Sequence, residues 1–139
     1  MNKNKYVELK EKHQEEINNF PMFFAFSNEQ FEEGMKSFGL QLNELDKIYK
    51  MGSTGGYYKR EDSSKLNEML IRQDNEVEEA RKDNEYLFQM FKYELNNHEY
   101  GYTGDLEETL EALGLTIEKV SNDKKLLKAL NKAVETFKE

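Results

Sequence analysis

Glu94 and His98 stand four residues apart, and on a helix that spacing puts them on one face, one turn from each other. A carboxylate and an imidazole so placed can work as an acid–base pair or supply two ligands to a metal ion, with Glu99 beside them. A metal centre normally takes three or four ligands, and neither H-E-x-x-H nor a repeated E-x-x-H occurs. His98 is therefore expected at a helix end, where an imidazole can meet the last carbonyls. His13, the only other histidine, falls on an apolar stripe and reads as a hydrogen-bonded core residue. With no cysteine there are no disulfides, thiolate nucleophiles or Cys-based metal clusters, and a reducing, cytoplasmic setting is expected. No G-x-S-x-G marks a serine nucleophile. The glycine-rich Gly52-Ser53-Thr54-Gly55-Gly56 runs into Tyr57-Tyr58, so it lacks the lysine and the helix start of a phosphate-binding loop. No catalytic residue, cofactor or metal is assigned on this basis.

Surface charge points toward binding instead. The chain carries a net charge of −8 and a pI near 5.0, which opposes general attraction to nucleic-acid backbones or anionic membranes. The last 23 residues are slightly basic, so the negative charge is concentrated before them. Two acidic clusters are the candidate partner-binding surface: Asp74, Glu76, Glu78, Glu79, Asp83 and Glu85 in one, and Asp105, Glu107, Glu108 and Glu111 in the other. The plainer account of both is a solvated helix face that keeps the chain soluble. A second candidate is the basic and aromatic ribbon Tyr57, Tyr58, Lys59 and Arg60, since interleaved rings and cations can stack bases or clasp phosphates. The overall charge argues against direct nucleic-acid binding.

These residues are positioned by a mainly helical α+β fold with a small β-hairpin, expected as one compact domain over residues 1–139. Tyr6, Leu9, His13, Ile17 and Phe20 form the stripe of a first helix that ends before Pro21. Met22–Phe26 reads as a buried strand or an extended core segment. Ser27 with Gln30 forms a capping box for a helix burying Phe31, Met35 and Phe38 and closing at Gly39. Lys47–Met51 and Tyr57–Arg60 pair as a hairpin across the glycine-rich turn. Residues 63–97 are either one helix or two, with a break favoured near a cap at Asp83. A continuous helix would let Val77, Ala80 and Leu87 form a thin seam for a homodimer. Tyr102–Asp105 is expected to open a helix closing at Gly114, and Ser121 to cap the last helix, whose stripe is Leu126, Leu127, Leu130, Val134 and Phe137. No apolar run approaches the ~20 residues of a membrane span, and the opening MNKNKYVELKEK lacks the apolar segment of an export signal.

Asn19-Phe20-Pro21-Met22-Phe23-Phe24-Ala25-Phe26-Ser27 and the residues to Met35, the turn Gly55-Gly56-Tyr57-Tyr58-Lys59, and Tyr93–Tyr100 running into Tyr102–Asp105 and Ala112–Leu115 together resemble an uncharacterised family of small proteins carried by phages and mobile elements of Gram-positive bacteria. That resemblance implies a genomic neighbourhood, not an activity or a site. Small acidic proteins in such neighbourhoods often bind a host or defence protein. The expected function is thus a non-enzymatic, acidic protein-binding module, in its sharpest form an anti-CRISPR-like inhibitor of a nucleic-acid-handling protein. The alternatives are a small metal-dependent or nucleotide-modifying enzyme centred on Glu94 and His98, or a structural homo-oligomer.

Overall fold

The computed structural model describes residues 4–138, so Met1–Lys3 of the opening segment and Glu139 lie outside the described residues. Its order is α1 (Lys5–Asn18), β1 (Met22–Phe24), α2 (Asn28–Ser37), β2 (Ile48–Met51), β3 (Gly56–Lys59), α3 (Ser63–Ala80), α4 (Asn84–Asn97), α5 (Tyr100–Thr103), α6 (Glu107–Ala112), α7 (Ile117–Ser121) and α8 (Lys124–Glu135). Single 3-10 turns at Leu45–Lys47 and Arg60–Asp62 flank the hairpin. The fold is mainly helical with a small antiparallel sheet, as its patterning implies. No helix among the described residues is long and apolar enough to cross a membrane. Contacts gather in two compact units, Met1–Gln14 with Asn75–Glu139, and Glu15–Asp74.

The smaller unit is built on aromatic rings. The sheet order is β1-β3-β2, with Phe23 opposite Tyr57 and Tyr49 opposite Tyr58. Phe23 stacks on Tyr57 at 5.2 Å and meets Phe31 and Phe38 edge-on at 5.8 and 5.1 Å. Gly34 lets that ring lie against α2: a Cβ there would fall 2.1 Å from Phe23 Cδ1. The capping of α2 follows its sequence. Gln30 N–H donates to Ser27 Oγ at 3.2 Å, while Gln30 Oε1 accepts from Phe26 N–H at 2.7 Å. At the other end Gly39 takes φ +73°, and Leu40 N–H reaches back to the Met35 carbonyl at 2.9 Å. Met22–Phe26 departs from the expected buried strand. Phe23 is buried against α2, but Phe24 and Phe26, two residues apart and on the opposite side of the ribbon, are exposed.

The larger unit packs around α4. Leu87, Met90, Phe91 and Leu95 recur at helical spacing and are each at most 1% exposed. Leu110, Leu113, Leu115, Val120, Ala129, Leu130 and Ala133 close the same core from α6, the turn after it, α7 and α8. The chain breaks before α4 where Asp83 caps it, accepting from Glu85 N–H at 3.1 Å. Since α3 and α4 are separate and Leu87 lies in this core, the seam of Val77, Ala80 and Leu87 does not exist as an exposed stripe. Two boundaries also differ from expectation. Asp123, not Ser121, caps α8, accepting from Lys125 and Leu126 N–H; Ser121 ends α7. Tyr102 and Thr103 close the short α5, and α6 begins only after Asp105 accepts from Glu107 N–H at 2.9 Å. Aspartate and serine are comparable helix caps, so local preference alone does not choose between Ser121 and Asp123. On α8, Leu127 turns outward, and Ala129 and Ala133 take the inner positions.

Candidate functional site

Glu94 is the one carboxylate on the apolar face of α4, and the fold surrounds it. Its side chain is 4% exposed. Tyr6 Oη of α1 donates to Glu94 Oε2 at 2.6 Å, and Asn97 Nδ2 donates to Oε1 at 3.3 Å. Lys10 Nζ lies 3.6 Å from Oε2 on the solvent side, 5.2 Å from the centre of the Tyr6 ring and 5.9 Å from that of Tyr93. The buried Thr109 Oγ1 of α6 donates to the Glu94 carbonyl at 3.3 Å. A buried charge is tolerable only when its lone pairs are met and a counter-charge is near, and both conditions hold here. Burial, then the bond to Glu94, pushes the Tyr6 phenol far above its ordinary range, so it stays a donor. Burial likewise raises the Tyr86 phenol, whose ring meets Tyr6 at 5.9 Å.

His98 does share a turn with Glu94, as the spacing implies, and forms the C-cap of α4 through its backbone. Its ring lies between two acids, with Nε2 3.9 Å from Glu94 Oε1 and Nδ1 3.6 Å from Glu108 Oε2. The acids thus approach opposite ring nitrogens and do not converge on one point with the imidazole. Glu99 is exposed and takes a left-handed backbone, φ 58°, to turn the chain into α5. Both Glu94 oxygens have donors within the fold, Tyr6 Oη on Oε2 and Asn97 Nδ2 on Oε1. Sequence reading places Tyr6 on a core stripe but misses its bond to Glu94. The available signal was an acid on the inward side of α4, between Phe91 and Leu95, which demands a donor from elsewhere.

The acidic residues divide by what they touch. Glu76 holds Lys12 at 3.3 Å and His13 Nε2 at 2.8 Å, so His13 is half-buried and paired, as its stripe position suggests. Glu79 holds Lys82 at 2.9 Å. Asp83 holds Lys5 at 2.9 Å; that bond, then the amide of Glu85, lowers the Asp83 carboxyl below its usual value. Glu108 lies against His98. Asp74, Glu78, Glu85, Asp105 and Glu107 are exposed and have no cation within 4.0 Å among the described residues; Glu85 accepts only from the Gln89 amide.

The basic and aromatic ribbon is occupied internally. Tyr57 stacks in the aromatic core, and Tyr58 faces Tyr49 and Phe20 on the other side of the sheet, at 5.9 and 6.4 Å. Lys59 Nζ sits 5.3 Å from the Phe38 ring, and the Arg60 guanidinium 4.6 Å from that of Tyr49. A cleft of about 610 Å³ opens beside them, where Lys47, Lys59 and Arg60 meet Asp46 and Glu61 in near-balanced charge. Rings already covered by neighbours leave little π-face for a base.

No curated protein and no solved structure matches the chain. A model for a family of unknown function matches residues 5–136, and with nearly its whole length covered the chain belongs to that family, DUF7659.

Proposed function

We propose that this chain is a protein-interaction module that offers carboxylates to a basic partner. The supporting observation is the set Glu78, Asp105 and Glu107, exposed on α3 and at the start of α6 with no cation within 4.0 Å among the described residues. Glu76, Glu79 and Asp83 hold cations of the chain itself, whereas these three keep their charge for the solvent or for a partner. Free carboxylates on short helices can stand where phosphates would lie on a protein that handles nucleic acid. The resemblance to phage-carried proteins of Gram-positive bacteria makes the partner a host or defence protein in the cytoplasm. An inhibitor of a CRISPR effector is the specific form proposed.

The test is capture from a Gram-positive lysate containing a CRISPR system, comparing the native chain with a Glu78→Lys, Asp105→Lys, Glu107→Lys variant. One basic, nucleic-acid-handling protein held by the native chain, released by salt and lost in the variant, is the expected result. A partner equally retained by the variant would remove the acidic surface from the account.

A further inference from the structure

In a chain this acidic, the cations that find no carboxylate stand out. In the larger unit Lys5, Lys10, Lys12, Lys82 and Lys138 each lie within 4.0 Å of an acid. Lys92, Lys119, Lys124, Lys125, Lys128 and Lys132 do not, among the described residues. Three of these line a single cleft of about 200 Å³ between the start of α4 and α8, with Phe88 and Ala129 at its base and Asn84 and Glu85 at its rim. Their placement follows from the sequence: Lys125, Lys128 and Lys132 recur at three- and four-residue steps, so α8 carries them along one edge while Ala129, Leu130 and Ala133 face the core. The edge is fixed at both ends. Lys125 Nζ donates to the Lys82 carbonyl, and Lys132 Nζ lies 4.7 Å from the centre of the Phe88 ring, with Lys92 Nζ 5.9 Å from the same ring. Glu85, the only acid on the rim, is engaged by Gln89 Nε2 at 3.1 Å.

From this cleft, its three uncompensated lysines and the cation-flanked Phe88 ring, we infer a binding site for a small phosphate-bearing anion. Lysine ammonium groups act on phosphate as point charges and need no fixed fork, which suits flexible side chains around a shallow cup. The cleft lies below the roughly 300–1,000 Å³ of pockets that enclose a drug-sized ligand, so it encloses one or two phosphate groups, and a nucleoside attached to them would lie outside it against the exposed edge of Phe88. The unfavourable field of the acidic chain is local here, since charges beyond ~8 Å are screened at physiological ionic strength.

The probes are inorganic phosphate, pyrophosphate and a nucleoside diphosphate, titrated into the full chain while amide signals are followed by NMR. Saturable shifts confined to residues 84–88 and 125–132, stronger for pyrophosphate than for phosphate, are expected. Lys128→Gln and Lys132→Gln should each weaken binding about five-fold, and Lys138→Gln, whose lysine is paired to Glu135, should not. Equal affinity for pyrophosphate and the nucleoside diphosphate supports a site for the bare phosphate group; tighter binding of the nucleotide with a Phe88 shift supports a nucleotide source. Shifts that track every surface lysine without saturating, or binding unchanged in both α8 variants, overturn the inference. So does preference for an oligoglutamate peptide over either phosphate.

Discussion

The bond between Tyr6 and Glu94 shows how one residue's environment sets its chemistry. The Tyr6 phenol must stay protonated to satisfy a carboxylate that water cannot reach, and the fold enforces this by raising its pKa. A raised phenol contributes stability that is whole below pH 10, its ordinary value, and declines as pH rises above it because the unfolded chain releases that proton first. Alkaline titration monitored by circular dichroism should show stability falling above that point. Tyr6→Phe should cost about 1–3 kcal/mol at neutral pH, since Glu94 Oε2 would keep only Lys10 at 3.6 Å. It should also make the alkaline decline shallower, with Tyr86 still contributing. Asp83 works in the opposite direction: its lowered carboxyl adds stability above the ordinary aspartate range, lost as pH falls through it. Asp83→Asn should therefore flatten the acid limb of the same titration.

Helices and turns impose conditions that residue preferences alone would misjudge. Replacing a glycine inside a helix by alanine ordinarily stabilises it by about 1 kcal/mol. At Gly34 the sign reverses, because the added methyl would meet the Phe23 ring, which Tyr57, Phe31 and Phe38 hold in place. Gly34→Ala should lower stability by about 1–3 kcal/mol, read from urea unfolding. Gly55 and Gly39 make a second comparison. Both have positive φ, but a Cβ at Gly55 would lie 2.4 Å from Phe26 Cε1, whereas nothing lies within 4 Å at Gly39. Gly39→Asn should be nearly neutral, since asparagine tolerates that backbone, while Gly55→Asn should also displace the exposed Phe26 ring and so lower the melting temperature slightly more. The ends of α2 and α6 close alike. Leu40 N–H reaches the Met35 carbonyl and Leu115 N–H the Leu110 carbonyl, each after a left-handed glycine, so the common ending of these segments reflects one capping geometry.

At the scale of the whole molecule, net charge of −8 separates acids that stabilise the fold from acids that face outward. Glu76→Lys should destabilise the chain, because it would set two ammonium groups together at position 76 and Lys12 and break the 2.8 Å contact with His13 Nε2. Glu78→Lys should change stability by less than about 0.5 kcal/mol and alter only salt-sensitive association. Thermal melts of the two variants beside partner capture would separate these roles; equal loss of stability in both would mean that Glu78 is also part of the fold's own electrostatics.

The sequence by itself determined what depends on neighbours within about one helical turn. Ser27 with Gln30, Asp83 before α4, Gly39 after α2 and the apolar spacing of α4 were all legible, because a cap or stripe is satisfied by backbone a few residues away. Choices among adjacent candidates were less so: Asp123 caps α8 where Ser121 was an equal candidate, because α7 runs through Ser121. Only tertiary structure decided which groups meet across the chain. Tyr6 finds Glu94 across 88 residues, Phe23 turns inward while Phe24 and Phe26 stay outside, and the lysines of α8 converge on Phe88. Such meetings depend on how the chain closes on itself, and residue spacing carries no record of that closure.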